Sequence, residues 1–149
     1  MKNNKGFTLV ELLAVIVVLA LIIGIAVPNA INLSNKSKKK MYISKVEMII
    51  KAAQLYGEDH PKGVATSESA CSSTSGRVTV ETLVKDGKVK ADKDDGTVED
   101  PYSGASMNSK TLCIYKQYNR VYAKITGCTT SGTKKYWMAN NVDVADFCS

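Results

Sequence analysis

The chain has 149 residues, a formal net charge of +6 at pH 7 and 44% hydrophobic residues. That length fits one domain with an appendage, and the mild charge excess permits but does not require a nucleic acid or an anionic surface as partner. With one histidine, His60, and no glycine-rich phosphate loop, the sequence offers no catalytic set, so we expect no enzyme, no cofactor and no metal site.

The first predicted element is an apolar stretch from Phe7 to Val27, which follows a short leader containing Lys2 and Lys5. A helix of that length spans roughly 30 Å, the thickness of a bilayer core. The stretch contains one charged residue, Glu11, close to its start. An unpaired charge in lipid costs about 3 kcal/mol at mid-membrane, so a plain membrane anchor does not account for this carboxylate.

A secretory signal peptide is the second explanation of the stretch. It requires a short apolar run and a small-x-small cleavage site. The run is long for that role, and Pro28-Asn29-Ala30 is a poor cleavage site.

The segment Lys5-Gly6-Phe7-Thr8-Leu9-Val10-Glu11 resembles the processing site of type IV prepilins and of type II secretion pseudopilins. In that family a prepilin peptidase cuts after the glycine and methylates the new terminal amine. The resemblance implies a leader of residues 1–6 that is removed by a cut between Gly6 and Phe7. It also implies that residues 7–28 form a transmembrane helix that becomes the filament core.

The resemblance assigns Glu11, the amine of Phe7, and Pro28 to assembly. A buried charge is tolerated when it is paired, so Glu11 would neutralise the amine of a neighbouring subunit and set the register. The alternative is that Glu11 caps its own helix by accepting from free N–H groups. Gly24 and Pro28 interrupt the apolar run, and we expect a kink there, with a simple end of the membrane helix as the alternative.

An amphipathic half is predicted to continue the helix over residues 29–57. Apolar residues recur there at the spacing of one helix face: Tyr42, Val46, Ile49, Ile50 and Ala53. Gly57 and the following Glu-Asp-His-Pro are expected to end the helix. A run of lysines contradicts the positive-inside rule for an outward-facing head, and we assign it to a solvated helix face rather than a nucleic-acid patch: Lys36, Lys38, Lys39 and Lys40.

Residues 58–149 are predicted to form a globular head with an antiparallel sheet. The fold class is therefore α+β, a long N-terminal helix packed on a small sheet. The predicted elements of the head are an exposed loop Val64–Gly76, a short helix Val80–Lys85, a hairpin of Thr111–Gln117 and Val121–Thr126 around Tyr118-Asn119-Arg120, and a third strand Lys135–Met138.

The acidic stretch "ADKDDGTVEDP" lies between that short helix and the hairpin. It lacks the spacing of an EF-hand loop, so we expect a solvated turn. The alternative is a cation site of another kind that uses Asp94, Asp95, Glu99 or Asp100.

The four cysteines all follow the apolar stretch, and none forms a CxxC pair, which indicates two disulfides and an oxidising compartment. The pilin resemblance implies a disulfide near the C-terminus, Cys128–Cys148, and this leaves Cys71–Cys113 as the second pair. A competing pairing joins Cys113 to Cys128 across the hairpin. In the expected register Cys113 lies opposite about Ile125, which is poor geometry for that bridge.

The resemblance implies a structural subunit of a type IV pilus-like surface filament, single-pass in the membrane before assembly, with an extracytoplasmic head. Its partners would be itself and other pilins, the prepilin peptidase, the assembly platform with its ATPase, and the membrane, with DNA or a surface ligand left open. One alternative is a pseudopilin of a DNA-uptake or type II secretion machine. The other is a membrane-anchored binding module that never polymerises, against which Gly6 and Glu11 argue.

Overall fold

The computed structural model describes residues 8–72, 75–140 and 142–148, with the backbone alone at positions 28, 29 and 72. Helix α1 runs from Leu9 to Asp59, 51 residues, and a small antiparallel sheet follows it. The predicted α+β class is confirmed. The chain divides into two compact units between Ser37 and Lys38, and the second unit, called the head below, holds the sheet and the second half of α1.

The predicted apolar face of α1 lies in the core of the head. Tyr42, Val46, Ile49 and Ala53 are fully buried, and Ile50 is half-buried. They pack in one cluster with the apolar side chains of the sheet, because their spacing puts them on one side of the helix.

Helix α1 ends at Asp59, within the segment Gly57–Pro61 that was predicted to end it, but Gly57 itself is still helical. Gly57 instead allows a close approach to the sheet. A Cβ atom at this position would lie 2.5 Å from Cγ2 of Ile114 and 2.8 Å from Cγ1 of Val121. The glycine is therefore required by packing rather than by a change of backbone direction.

The main sheet has three antiparallel strands in the order β1 (Arg77–Thr79), β2 (Thr111–Gln117) and β3 (Arg120–Ile125). Helix α2, Val80–Lys85, follows β1 directly and matches the predicted short helix. Its N-terminus is capped by Thr79, whose Oγ1 accepts from the N–H of Thr82 at 3.1 Å.

The β2–β3 hairpin has the predicted strands but a register shifted by one residue. Gln117 pairs with Arg120, so the turn contains two residues, Tyr118 and Asn119, rather than three. Their φ angles are 49° and 61°, as in a type I′ turn, whose twist suits a hairpin. Cys113 consequently lies opposite Lys124, not Ile125.

The predicted third strand, Lys135–Met138, is wrong in its partner and its end. Strand β5 covers Lys134–Tyr136 and pairs with β4, Thr129–Ser131, in a separate two-stranded sheet. Trp137 and Met138 leave the strand and enter the core of the head. The third strand of the main sheet is β1, which the sequence pattern did not indicate.

The predicted exposed loop Val64–Gly76 is partly buried. Ala65 pairs with Tyr115 beside β2, and a short 3-10 helix, Glu68–Ser72, lies against the outward face of that strand. Ala65, Cys71, Cys113 and Tyr115 form a second apolar cluster there. Strand β2 is thus buried on both faces, which a Ser- and Thr-rich loop does not suggest.

Candidate functional site

Helix α1 begins with reciprocal hydrogen bonds between Thr8 and Glu11. The backbone N–H and the hydroxyl of Thr8 both donate to Oε2 of Glu11 at 2.9 Å, and the N–H of Glu11 donates to Oγ1 of Thr8 at 3.3 Å. This arrangement is a capping box, which satisfies N–H groups that the first helical turn leaves without partners. The carboxylate of Glu11 is therefore held at the positive end of the helix dipole by the chain's own atoms.

The first half of α1 presents a continuous apolar surface. Every large apolar side chain from Leu9 to Leu33 is exposed, with exposed fractions of 48–81%. In the described residues this helix is long and apolar enough to cross a membrane. Soluble monomers do not leave so large an apolar surface in water, so lipid or other protein chains must cover it.

The predicted processing junction, Gly6–Phe7, lies outside the described residues, and so does the amine that cleavage would create on Phe7. The described backbone starts one residue later, at Thr8, and α1 is continuous through Gly24 and Pro28. Among the predicted assembly residues, Glu11 is thus the one whose side chain the structure places. It lies at the start of the exposed apolar surface.

The model of the prokaryotic N-terminal methylation motif matches residues 1–27 of the chain, which include Gly6, Phe7 and Glu11. Both comparisons support the resemblance to the type IV pilin family. A curated relative of the chain is a fimbrial protein from Pseudomonas aeruginosa, 26% identical over an alignment that covers 94% of this chain and 97% of the relative. The similarity thus extends through the head as well as the helix. No solved structure matches the chain.

In the head, Lys45 of α1 holds the acidic loop that precedes the hairpin. Its side chain is 13% exposed, and its ammonium group forms an ion pair with Asp92 and donates to the carbonyl oxygen of Glu99 at 2.8 Å. Asp92 also accepts from the N–H of Glu99 at 2.7 Å. Burial opposes ionisation of Asp92, but the donors from Lys45 and Glu99 outweigh it and hold the pKa of that carboxyl below its usual range.

Three of the acidic residues considered for a cation site contact other residues of the head. Asp95 accepts from the N–H of Thr97 at 2.9 Å, and Glu99 forms an ion pair with Lys93. The carboxylate of Asp100, 1% exposed, accepts from the N–H of Tyr102 at 2.8 Å and from Nδ2 of Asn140 at 2.9 Å. Among the described residues, no three Asp, Glu, His or Cys side chains are grouped so that they could hold a metal ion.

The structure joins Cys71 to Cys113 and Cys128 to Cys148, the two pairs that the resemblance implied, with Cα–Cα distances of 5.7 and 6.4 Å. The first disulfide fastens the 3-10 helix to the outward face of β2. The second fastens the C-terminal residues to the body of the head, where the backbone of Cys148 also forms an isolated β-bridge with Ile125. All four cysteines lie in the head.

Two residues of these contacts do not stand out as functional in the sequence. Thr8 belongs to the processing motif, but its Thr-x-x-Glu spacing to Glu11 is also the signature of a capping box. Lys45 is one of several lysines on the helix surface, and its partners lie 47 and 54 residues further along the chain. Partners so far apart in the sequence are brought together only by the folded structure.

Proposed function

We propose that this chain is a structural subunit of a type IV pilus-like surface filament. The prepilin peptidase cuts it between Gly6 and Phe7, and residues 7–28 then polymerise as the filament core. The observation that carries the proposal is the carboxylate of Glu11, held at the start of an apolar helix that no other part of the described chain covers. A glutamine can also complete a capping box, so capping alone does not require the charge of Glu11.

The capping box and the pairing with a neighbour are compatible roles for Glu11. Both donors of Thr8 contact Oε2, and within the described residues Oε1 accepts no hydrogen bond. The methylated amine of a neighbour's Phe7 can therefore bind Oε1 while the cap persists. Removing water from this pair strengthens their attraction, and loss of one partner leaves an uncompensated buried charge.

The proposal divides the chain at the boundaries that the sequence suggested. Residues 1–6 are the removed leader, residues 7–28 cross the membrane before assembly, residues 29–57 continue the helix, and residues 58–149 form the part of the head that carries the sheet. The two disulfides support an extracytoplasmic head, since such bonds persist in oxidising compartments. Subunits of a competence or secretion pseudopilus share these features, and a short periplasmic filament instead of a surface fibre would identify them.

The test separates the charge of Glu11 from its capping role. Glu11→Gln keeps a side-chain acceptor for Thr8 but removes the charge, whereas Thr8→Val removes the side-chain part of the capping box and keeps the charge. We expect Glu11→Gln to lower the yield of sheared filaments more than 100-fold, because breaking a buried pair costs about 3–5 kcal/mol. Thr8→Val should lower the stability of the helix by only about 1 kcal/mol, the typical contribution of an N-cap.

The matched control is Glu81→Gln, which removes an exposed carboxylate from α2 in the head.

Intact mass spectrometry of the filament subunit should give a chain that starts at Phe7 with a methylated amine. A mature chain that starts near Ala30, or Glu11→Gln filaments at wild-type yield, would refute the proposal.

A further inference from the structure

A run of lysines follows the exposed apolar half of α1, whose last large apolar side chain is Leu33. The run consists of four exposed residues, which we call the lysine collar: Lys36, Lys38, Lys39 and Lys40. Between Glu11 and Glu47 the sequence contains no acidic residue. No negative side chain on this part of the helix therefore offsets the charge of the collar.

The collar forms no ion pair within the described part of the chain. The lysines that do form ion pairs there are Lys45, Lys85, Lys88, Lys93 and Lys124. Lys38 borders a groove that Asp92 and Glu99 also line, but it is not paired with either of them. The charge of the collar is thus available to a partner outside the subunit.

The position of the collar along α1 matches the surface of a bilayer. The helix begins at Leu9, and at a rise of 1.5 Å per residue Lys36 lies about 40 Å further along it. A bilayer with its headgroup layers is about 40–45 Å thick. When the apolar half of α1 crosses a membrane with its start at the inner surface, the collar therefore lies among the headgroups of the outer surface.

The charges of the collar point in several directions around the helix. Consecutive residues of an α-helix differ by about 100° around its axis, so Lys38, Lys39 and Lys40 span more than half of the circumference. A strand or duplex of nucleic acid approaches a helix from one side, whereas a layer of headgroups surrounds a helix that crosses it. The arrangement therefore favours a lipid surface over a nucleic acid.

We propose that the lysine collar binds the phosphate groups of anionic phospholipids at the outer surface of the membrane before assembly. The positive-inside rule disfavours a lysine run on that side, and attraction to anionic headgroups offsets this disadvantage. Lysine suits the role because its apolar stem lies along the helix while its ammonium group reaches the headgroups. This inference rests on the proposed function, which places the head outside, and it names the lipid that the subunit binds before it enters a filament.

The first experiment measures the lipid selectivity of the full-length chain in mixed vesicles of phosphatidylcholine and phosphatidylglycerol. Electron spin resonance of spin-labelled lipids gives the enrichment of phosphatidylglycerol over phosphatidylcholine at the protein surface. One lysine at an anionic surface changes local lipid binding about fivefold, and averaging over all lipids around the helix reduces the measured change. Replacing Lys36, Lys39 and Lys40 together by glutamine should therefore lower the enrichment at least about twofold. Lys38 is kept because it borders acidic residues of the head.

The matched control replaces three exposed lysines of the head that form no ion pair in the described chain: Lys62, Lys90 and Lys134. It removes the same charge and should keep the wild-type enrichment. Both triple variants should keep the wild-type thermal midpoint, because the replaced side chains are exposed. Lys2 and Lys5 are present in every variant and do not contribute to the differences. Equal enrichment in the wild type and the collar variant, or an equal loss in the control, would overturn the inference.

The second experiment distinguishes the lipid from other sources of phosphate. Inorganic phosphate or short single-stranded DNA is added to the same vesicles at the phosphate concentration of the labelled lipid, and we expect neither to lower the enrichment. Displacement by inorganic phosphate would show a site for free anions, and displacement by DNA would show a nucleic-acid site, so either result overturns the inference. Neither measurement requires a filament. A negative result therefore leaves the proposed function standing, and the filament yield of Glu11→Gln tests that function separately.

Discussion

The two halves of α1 share one secondary structure and differ in what covers them. From Leu9 to Leu33 the large side chains are apolar on every face and exposed throughout. From Tyr42 to Ala53 most of the apolar residues keep to one face, which packs in the core with the side chains of the sheet, while Met48 is exposed. The first half contributes nothing to the core of the head, whereas the second half is part of that core.

This difference shows that helix formation and burial are separate problems in this chain. The side chains of an all-round apolar helix are stabilised by lipid or by other protein chains, so the sequence of this half has to suit partners outside the head. The amphipathic half obtains its free energy from one fixed partner, and single side chains matter there. Substitutions of the same residue type in the two halves should therefore have different consequences.

The largest contrast is expected for isoleucine. Ile49→Ala removes a fully buried side chain from the core and should lower the free energy of unfolding of the head by about 2–5 kcal/mol. Ile23→Ala makes the same chemical change where the side chain is 57% exposed, and it should leave that free energy unchanged. Thermal unfolding of the two full-length variants in detergent measures both changes. Equal shifts of the unfolding midpoint would contradict the division of α1 into a half that is buried in the core of the head and a half that is not.

The two glycines of α1 sharpen the comparison. Gly57→Ala forces a methyl group against Ile114 and Val121, and overpacking of this kind costs about 1–3 kcal/mol. Gly24→Ala meets no atom within 4 Å and should strengthen the helix by up to about 1 kcal/mol. Circular dichroism during heating should show a lower head transition for the first variant only. If Gly57→Ala leaves the head transition unchanged, then the helix lies further from the sheet than in the structure described here.

The last contrast concerns Lys45, which lies on the half of α1 that belongs to the head. Lys45→Met removes a hydrogen bond to Glu99 and the ion pair with Asp92, and should cost about 2 kcal/mol at neutral pH. The pKa of Asp92 is lowered in the folded head, so its contribution is present above its unfolded pKa of about 4 and is lost as the pH falls through the folded value.

Asp92→Asn is the partner variant for this measurement. It should flatten the decline in stability below about pH 4, because the titrating group is gone. Glu58→Gln, an exposed carboxyl near the end of α1, serves as the control and should keep the wild-type acid dependence. If Asp92→Asn declines as steeply as the wild type in acid, then another carboxyl controls that region of the curve.

Most of the fold follows from periodicity in the sequence. The stripe from Tyr42 to Ala53, helix α2 and both strands of the hairpin are local patterns, and a single sequence displays them. The errors fall where a residue serves a distant contact. Gly57 looks like a helix stop but is a point of close approach, and Ala65 and Cys71 look like loop residues but cover β2. Strand β1 has three residues, too few to show alternation.

The site divides in the same way. The motif from Gly6 to Glu11 could be predicted because it is a linear pattern, and the N-terminal methylation model matches the same residues. The role of Lys45 could not be predicted, since it depends on an ion pair with a residue 47 positions further along the chain. Local chemistry is visible in the sequence, whereas the surfaces of the head exist only once the chain is folded.

The two disulfides have a mechanical consequence. A fibre that is pulled at its tip transmits tension through each head, and a head that unravels lengthens by about 3.4 Å for every residue released. The disulfides close segments of 42 and 20 residues, most of the chain after the helix, and those segments cannot extend while the bonds hold. A head under tension can therefore release only the short stretches outside them, so the proposed filament would keep its length under load.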